Sequence, residues 1–203
     1  MDVKNRASPL ATVRDLMARQ HGTLFTSDLA KRGIPRTYIA ILEKRGEAHR
    51  VSRGVYAATD SLADEMAGLQ ARYKAAIFSH ETALYLWDLT DRSPLSYSVT
   101  VPSGYHAPQL KASGARVYFI RRDLHPLGQV VAKSPHGNAI QTYDLERTIC
   151  DVLRSRNQVE VQFVTQALQR YVRRQDKNLD RLNDYAGRFG IQKIVRQYIE
   201  VLL

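Results

Sequence analysis

The stretch GIPRTYIAILEKRGEAHRVSRGVYAA, residues 33–58, sets Arg36, Lys44, Arg45, Arg50 and Arg53 beside a regular apolar pattern and closes on a glycine reversal. Projected at about 100° per residue, Tyr38, Ile39 and Leu42 fall on one side, while Arg36, Thr37, Ala40 and Lys44 fall on the other. That division predicts a helix from Pro35 to Gly46 with one core face and one polar, basic face. The remainder, AHRVSRGVYAA, alternates too strictly and holds too many β-branched and aromatic residues for a helix. Ser52, Arg53 and Gly54 supply a tight turn, so this part reads as a β-hairpin.

Upstream, Ser8 stands as an N-cap ahead of Pro9, and Val13, Leu16 and Met17 mark the apolar side of a first helix over residues 9–20. A short second helix opens at Thr26 or Ser27, carries Asp28 in its first turn and stops at Gly33. Two short helices joined by a glycine-containing turn have the proportions of a helix-turn-helix. Helix, helix, helix, hairpin is the order of a winged helix, with the hairpin as the wing beside the recognition helix.

Downstream, the polar TDSLADEM places a boundary near residues 59–62. A helix to about Tyr73 follows, then another from near Ser79 with Ala83, Leu84, Leu86 and Trp87 as core candidates. LSYSVTVP, ARVYFIRR and residues 139–143 read as strands. Three apolar stripes then predict helices: Leu145, Ile149, Val152 and Leu153; Val161, Val164, Leu168 and Tyr171; Ile191, Ile194, Val195, Tyr198 and Ile199. The expected fold class is α+β. An N-terminal winged helix-turn-helix domain spans 1–58, and an α+β domain with a short sheet, several helices and a helical C-terminal tail spans 59–203.

Charge points to the partner. The 203 residues carry 30 Lys and Arg against 20 Asp and Glu, a net of +10 whose field draws anions. Through Ala58 the count is 11 basic to five acidic, a net of +6, so the first quarter supplies most of that field. Double-stranded DNA is the leading partner. In the basic stretch, Arg36 suits a bidentate contact to guanine, worth about 1–3 kcal/mol of discrimination. Thr37 reaches a phosphate or a thymine methyl, Ala40 is small enough for close approach, and Lys44 completes the front. Arg50 and Arg53 would hold the backbone or the minor groove through the wing.

Other chemistry finds little support in the residues. His21, His49, His80, His106, His125 and His136 stand far apart, with no i, i+4 pair for a zinc site. His80 and Glu81 are the best catalytic-looking pair, and read as cap and surface at the head of an apolar helix. Cys150, the single cysteine, excludes an intramolecular disulfide and reads as a buried structural thiol in a reducing compartment. Asp144, Glu146, Arg147 and Asp151 crowd one helix start, where acidic residues stabilise the helix and Arg147 can pair with Asp151 for a few tenths of a kcal/mol. Arg170, Arg173, Arg174 and Lys177 form a charge run that reads as a solvated face or an extension of the DNA surface. Neither a phosphate-cradling loop nor a G-x-S-x-G turn is present, so no enzyme and no cofactor or metal is expected. No run of about 18 uncharged apolar residues exists, and Arg14 and Asp15 interrupt the place of a signal core. A cytoplasmic protein with no membrane partner is the expectation.

The segments LFTSDLAKRGIPRTYIAILEKRGEAHRVSRGVYAA, AIFSHETALYLWDL and YDLERTICDVL together resemble the AbiEi family of bacterial antitoxins from abortive-infection toxin–antitoxin systems. The likeness covers about Thr23 to Leu153 and is most specific in the R-G-V-Y wing and the E-R-T helix; the helices after Arg156 lie outside it. It implies a winged helix that represses its own operon by binding operator DNA, inverted repeats included. It also implies a second domain linked with antitoxicity, opposed to a nucleotidyltransferase-like toxin whose direct contact is left open. Two other functions stay open on the residues: a transcriptional regulator with a ligand-sensing C-terminal domain, and a DNA-targeted nuclease.

Overall fold

Pro9 opens helix α1 (Pro9–Arg19) because Ser8 Oγ accepts the Ala11 N–H at 3.2 Å and the proline ring needs no donor in the first turn. The computed structural model describes residues 8–200, in two compact units. The first runs to Lys74 and also takes in residues 133–140; the second holds 75–132 and the chain from 141 onward.

In the first unit α1 is followed by β1 (Thr23–Phe25), α2 (Thr26–Lys31), α3 (Thr37–Lys44), β2 (Ala48–Ser52) and β3 (Val55–Ala58). Val13, Leu16, Met17, Leu24, Leu29, Ile39, Leu42 and Ala48 form its core. The three strands make an antiparallel sheet in the order β1-β3-β2, so β3 is central. This is a winged helix. Sequence reading missed β1, because three residues carry no visible alternation; it exists because Thr23, Leu24 and Phe25 align with Ala57, Tyr56 and Val55. Helix α3 is also shorter than predicted. Tyr38 and Ile39 donate to the carbonyls of Pro35 and Arg36, three residues back, so Pro35 and Arg36 form a tight entry turn rather than helix.

Helix α4 (Glu65–Arg72) follows in this unit, capped by the buried Asp64. Asp64 Oδ1 accepts from Ala67 N at 2.9 Å, and Oδ2 accepts from Ser134 Oγ at 2.5 Å and Asn138 Nδ2 at 2.9 Å. A carboxylate this deep requires such partners.

The second unit contributes β4 (Ile77–Phe78), α5 (His80–Leu86), β5 (Ser98–Pro102), α6 (Pro108–Ala112) and β6 (Arg116–Ile120). The chain continues through β7 (Gln129–Lys133), β8 (Ala139–Tyr143), α7 (Leu145–Arg154), α8 (Val161–Arg173), α9 (Leu179–Phe189) and α10 (Gln192–Glu200). The strands form a mixed sheet in the order β6-β5-β4-β8-β7. Sequence reading anticipated three of its strands and missed β4 and α6, too short to show a period, β7, an edge strand with no buried side chain, and α9, whose start lies just past the charge run. Every residue of α7 from Leu145 to Leu153 is buried, and Ile149, Cys150, Val152 and Leu153 join Leu168, Tyr171, Leu182, Ala186 and Val195 in one helical core. Ala83 and Leu84 are buried as expected, while Trp87 is half-buried and donates from Nε1 to the Tyr143 carbonyl at 2.7 Å.

Candidate nucleic-acid interface

Burial of Ile39 and Leu42 fixes the rotation of α3 about its axis, and the residues opposite them are left in solvent. Arg36, Thr37, Ala40 and Lys44 are all exposed. Helix α3 packs against β2, so the wing adjoins the helix. Arg50 and Arg53 are exposed on it.

Two details shape the wing. Gly54 sits at φ +79°, and a Cβ there would lie 2.9 Å from Thr26 Oγ1. The Thr26 amide donates to the Gly54 carbonyl at 2.9 Å, which ties the turn to the first residue of α2. The β2–β3 register also skips between Arg50 and Ser52, a bulge that leaves Val51 unpaired and 42% exposed.

Which cations are available is decided by their partners. Arg14 donates from Nε and Nη2 to both carboxylate oxygens of Glu47 at 2.7 Å, and this pairing holds the Glu47 carboxyl below its usual range. Arg19 pairs with Asp15 at 2.9 Å, Lys31 with Asp28 at 3.4 Å, and Arg45 approaches Glu47 at 4.0 Å. Arg36, Lys44, Arg50 and Arg53 form no ion pair with any described residue; Arg50 Nε only touches the Ser52 carbonyl at 3.3 Å. The positive charge of α1 and α2 is thus largely answered within the fold, and that of α3 and the wing is not. Four unanswered cations on two adjoining elements form a surface that attracts a polyanion.

Sequence reading overlooked one residue on this face. Ile41 is 37% exposed and stands outside the core cluster. With Thr37, Ala40 and Lys44 it follows i, i+3, i+4, i+7 spacing, so the same projection that selected its neighbours contains it. The sequence projection assigned it to neither side.

The other clusters are structural. His80 is fully buried at φ +47°, not a surface cap. Its ring stacks on Tyr118 at 3.4 Å, its nitrogens lie 2.9 and 3.1 Å from Ser79 Oγ and Ser155 Oγ, and burial pushes its pKa down to about 4. Burial likewise pushes the Cys150 thiol up, out of the reactive range. Arg147 and Asp151 are both fully buried and joined at 3.0 Å. This is a far more consequential pair than an exposed i, i+4 contact, and Arg147 also donates to the Leu124 and Leu127 carbonyls at 2.8 and 2.6 Å. In the later charge run Arg170 is bound by Asp91 and Arg174 by Asp176, which leaves Arg173 as its exposed arginine. Among the described residues no helix is long and apolar enough to cross a membrane, and no group of three or more His, Cys, Asp or Glu could hold a metal ion.

Fold and surface together define a winged-helix unit with a cationic face, joined to an α+β unit. A family model described as "Transcriptional regulator, AbiEi antitoxin" matches residues 11–59, the span of α1 through β3. The AbiEi resemblance of the wing motif is therefore matched by the family's own model over these residues. No curated protein matches the sequence. Among solved structures, the RV2827C protein from Mycobacterium tuberculosis is similar at a TM-score of 0.60 and 17% identity, over 98% of this chain and 77% of that one. At that identity the likeness is one of fold.

Proposed function

We propose that this chain is a DNA-binding antitoxin of a bacterial toxin–antitoxin system, repressing its own operon and counteracting a nucleotidyltransferase-like toxin. One observation carries the DNA-binding part. Arg36, Lys44, Arg50 and Arg53 are exposed and unanswered by carboxylates on α3 and the wing, the segment that the regulator family's model matches. In this reading residues 1–58 are the DNA-binding domain and 59–203 the antitoxin-type domain. Arg36, Thr37, Ala40 and Lys44 face the major groove, while Arg50 and Arg53 hold phosphates or the minor groove. The protein works in the cytoplasm, without catalysis. The test is co-expression with the neighbouring open reading frame, combined with anisotropy titration of the upstream duplex. Rescue from a toxic neighbour and saturable, salt-sensitive binding support the reading; growth arrest that persists, or no binding, refutes the corresponding half.

One observation favours a second reading, a ligand-sensing regulator. The second unit contains a cleft of about 410 Å³ lined by residues that include Glu81, Arg92, Arg116 and Phe163. Both arginines are paired there, Arg116 to Glu81 at 2.6 Å and Arg92 to Glu160 at 3.5 Å. A metabolite that releases the protein from its operator would favour this reading.

A further inference from the structure

Resting on the DNA-binding reading above, we propose that Ile41 selects for thymine by packing on its 5-methyl group in the major groove. Isolated apolar residues on a surface are ordinary. Ile41 differs by its setting. It is the fifth of the eight residues of α3 and shares a face with Thr37, Ala40 and Lys44. The core that claims Ile39 and Leu42 leaves it 37% exposed.

At about 100° per residue Ile41 stands in the middle turn of α3, about 40° around from Thr37 at the edge of the outward face, and a helix seated in the groove would desolvate it against a base edge. Base edges in the major groove offer hydrogen-bond donors and acceptors, with a single apolar group among the four bases, the thymine methyl. A purine would bury Ile41 against a polar edge, and cytosine, with a bare C5–H at that position, would offer no methyl to pack on, so both would be disfavoured. The neighbours suit this contact. Ala40 projects little and lets the helix come close, and the unpaired Lys44 stands one turn from Ala40 to hold a phosphate. β-Branching keeps the Ile41 rotamer nearly fixed on a helix, so little side-chain freedom is lost on contact. Burying one methyl-sized group corresponds to about a fourfold change in affinity.

The test uses the full chain and a duplex that it selects from randomised DNA. Each thymine in the bound site is replaced singly by deoxyuridine, which removes the methyl and leaves base pairing intact. Wild type should lose about fourfold at one or more positions, Ile41→Val should keep that sensitivity, and at one of those positions Ile41→Ala should bind the thymine and uracil duplexes alike. Equal sensitivity of wild type and Ile41→Ala at every thymine, or no sensitive thymine in wild type, overturns the assignment while leaving DNA binding intact. Failure to select any duplex overturns the DNA-binding reading itself, and Ile41 with it. A melting curve of Ile41→Ala that matches wild type shows that the loss is one of contact rather than of fold.

Discussion

Salt dependence distinguishes arginines that face a duplex from those that the fold has already engaged. Each phosphate neutralised by Lys or Arg contributes about −0.9 to the slope of log K against log salt. If Arg36, Lys44, Arg50 and Arg53 all met phosphates, one copy would show a slope near −3.6, and doubling the salt would weaken binding about 12-fold. Arg36 reading a base instead would leave three phosphate contacts, a slope near −2.7 and about a 6.5-fold effect. Arg53→Ala should therefore flatten the slope by about 0.9 and weaken binding to every duplex alike, whereas Arg36→Ala should chiefly relax sequence preference. Arg14→Ala is the internal control. Its guanidinium is held by both oxygens of Glu47, so its removal should leave the slope almost unchanged. Anisotropy titrations on one specific and one scrambled duplex at several salt concentrations read all three. Equal slope changes in Arg14→Ala and Arg53→Ala, or identical behaviour of Arg36→Ala and Arg53→Ala, would refute the assignment.

Three further outcomes concern stability. His80 is held neutral by burial, with a pKa of about 4 against about 6.5 unfolded. The unfolded chain takes up the proton first as pH falls, so the contribution of His80 is complete above pH 6.5 and declines by about 3 kcal/mol toward pH 4. His80→Asn, which tolerates the left-handed backbone, should flatten urea midpoints across that window, and an unchanged slope would refute the point. Arg147→Ala would leave the buried Asp151 with only its 3.4 Å ion pair to Arg154, strip the Leu124 and Leu127 carbonyls of their donor, and should cost about 3 kcal/mol in urea denaturation; a loss below about 1 kcal/mol would contradict the burial argument. Gly54→Ala, at φ +79° and against Thr26 Oγ1, should lower the melting midpoint by the equivalent of about 1–2 kcal/mol, and a neutral effect would mean the wing turn is not tied to α2.

The winged helix was legible because its signals are local. Ser8 and Pro9 start α1, apolar spacing rotates α3, and Ser52, Arg53 and Gly54 turn the wing within a few residues of chain. The exposed cations were legible for the same reason, since Ile39 and Leu42 dictate which side of α3 faces outward. Pairing across long stretches of chain was not. The strand identities of Thr23–Phe25 and Ile77–Phe78 lie in their partners, and β4 acquires its role only between β5 and β8. Sequence likewise gave no sign that Arg14 would be silenced by Glu47, 33 positions away, while Arg36 would not. His80 and Arg147 look like surface chemistry when read by residue type, and only the burial of their neighbours turns them into structural supports. Ile41, left unassigned in the projection, is an apolar letter on the polar side of α3.

The partners of Asp64 have a practical consequence. One oxygen of this buried carboxylate serves its own helix start, and the other is satisfied only by Ser134 and Asn138, 70 and 74 positions further along. A fragment severed after Lys74 would keep α1 through α4 but discard those donors, leaving the acid at the start of its final helix short of them. A single cut that keeps α4 therefore leaves this acid without two of its donors; a fragment carrying α4 would have to bring the 133–140 tip along or replace Asp64 with a residue that asks for no donor, whereas one ending at Ala58 leaves Asp64 out altogether.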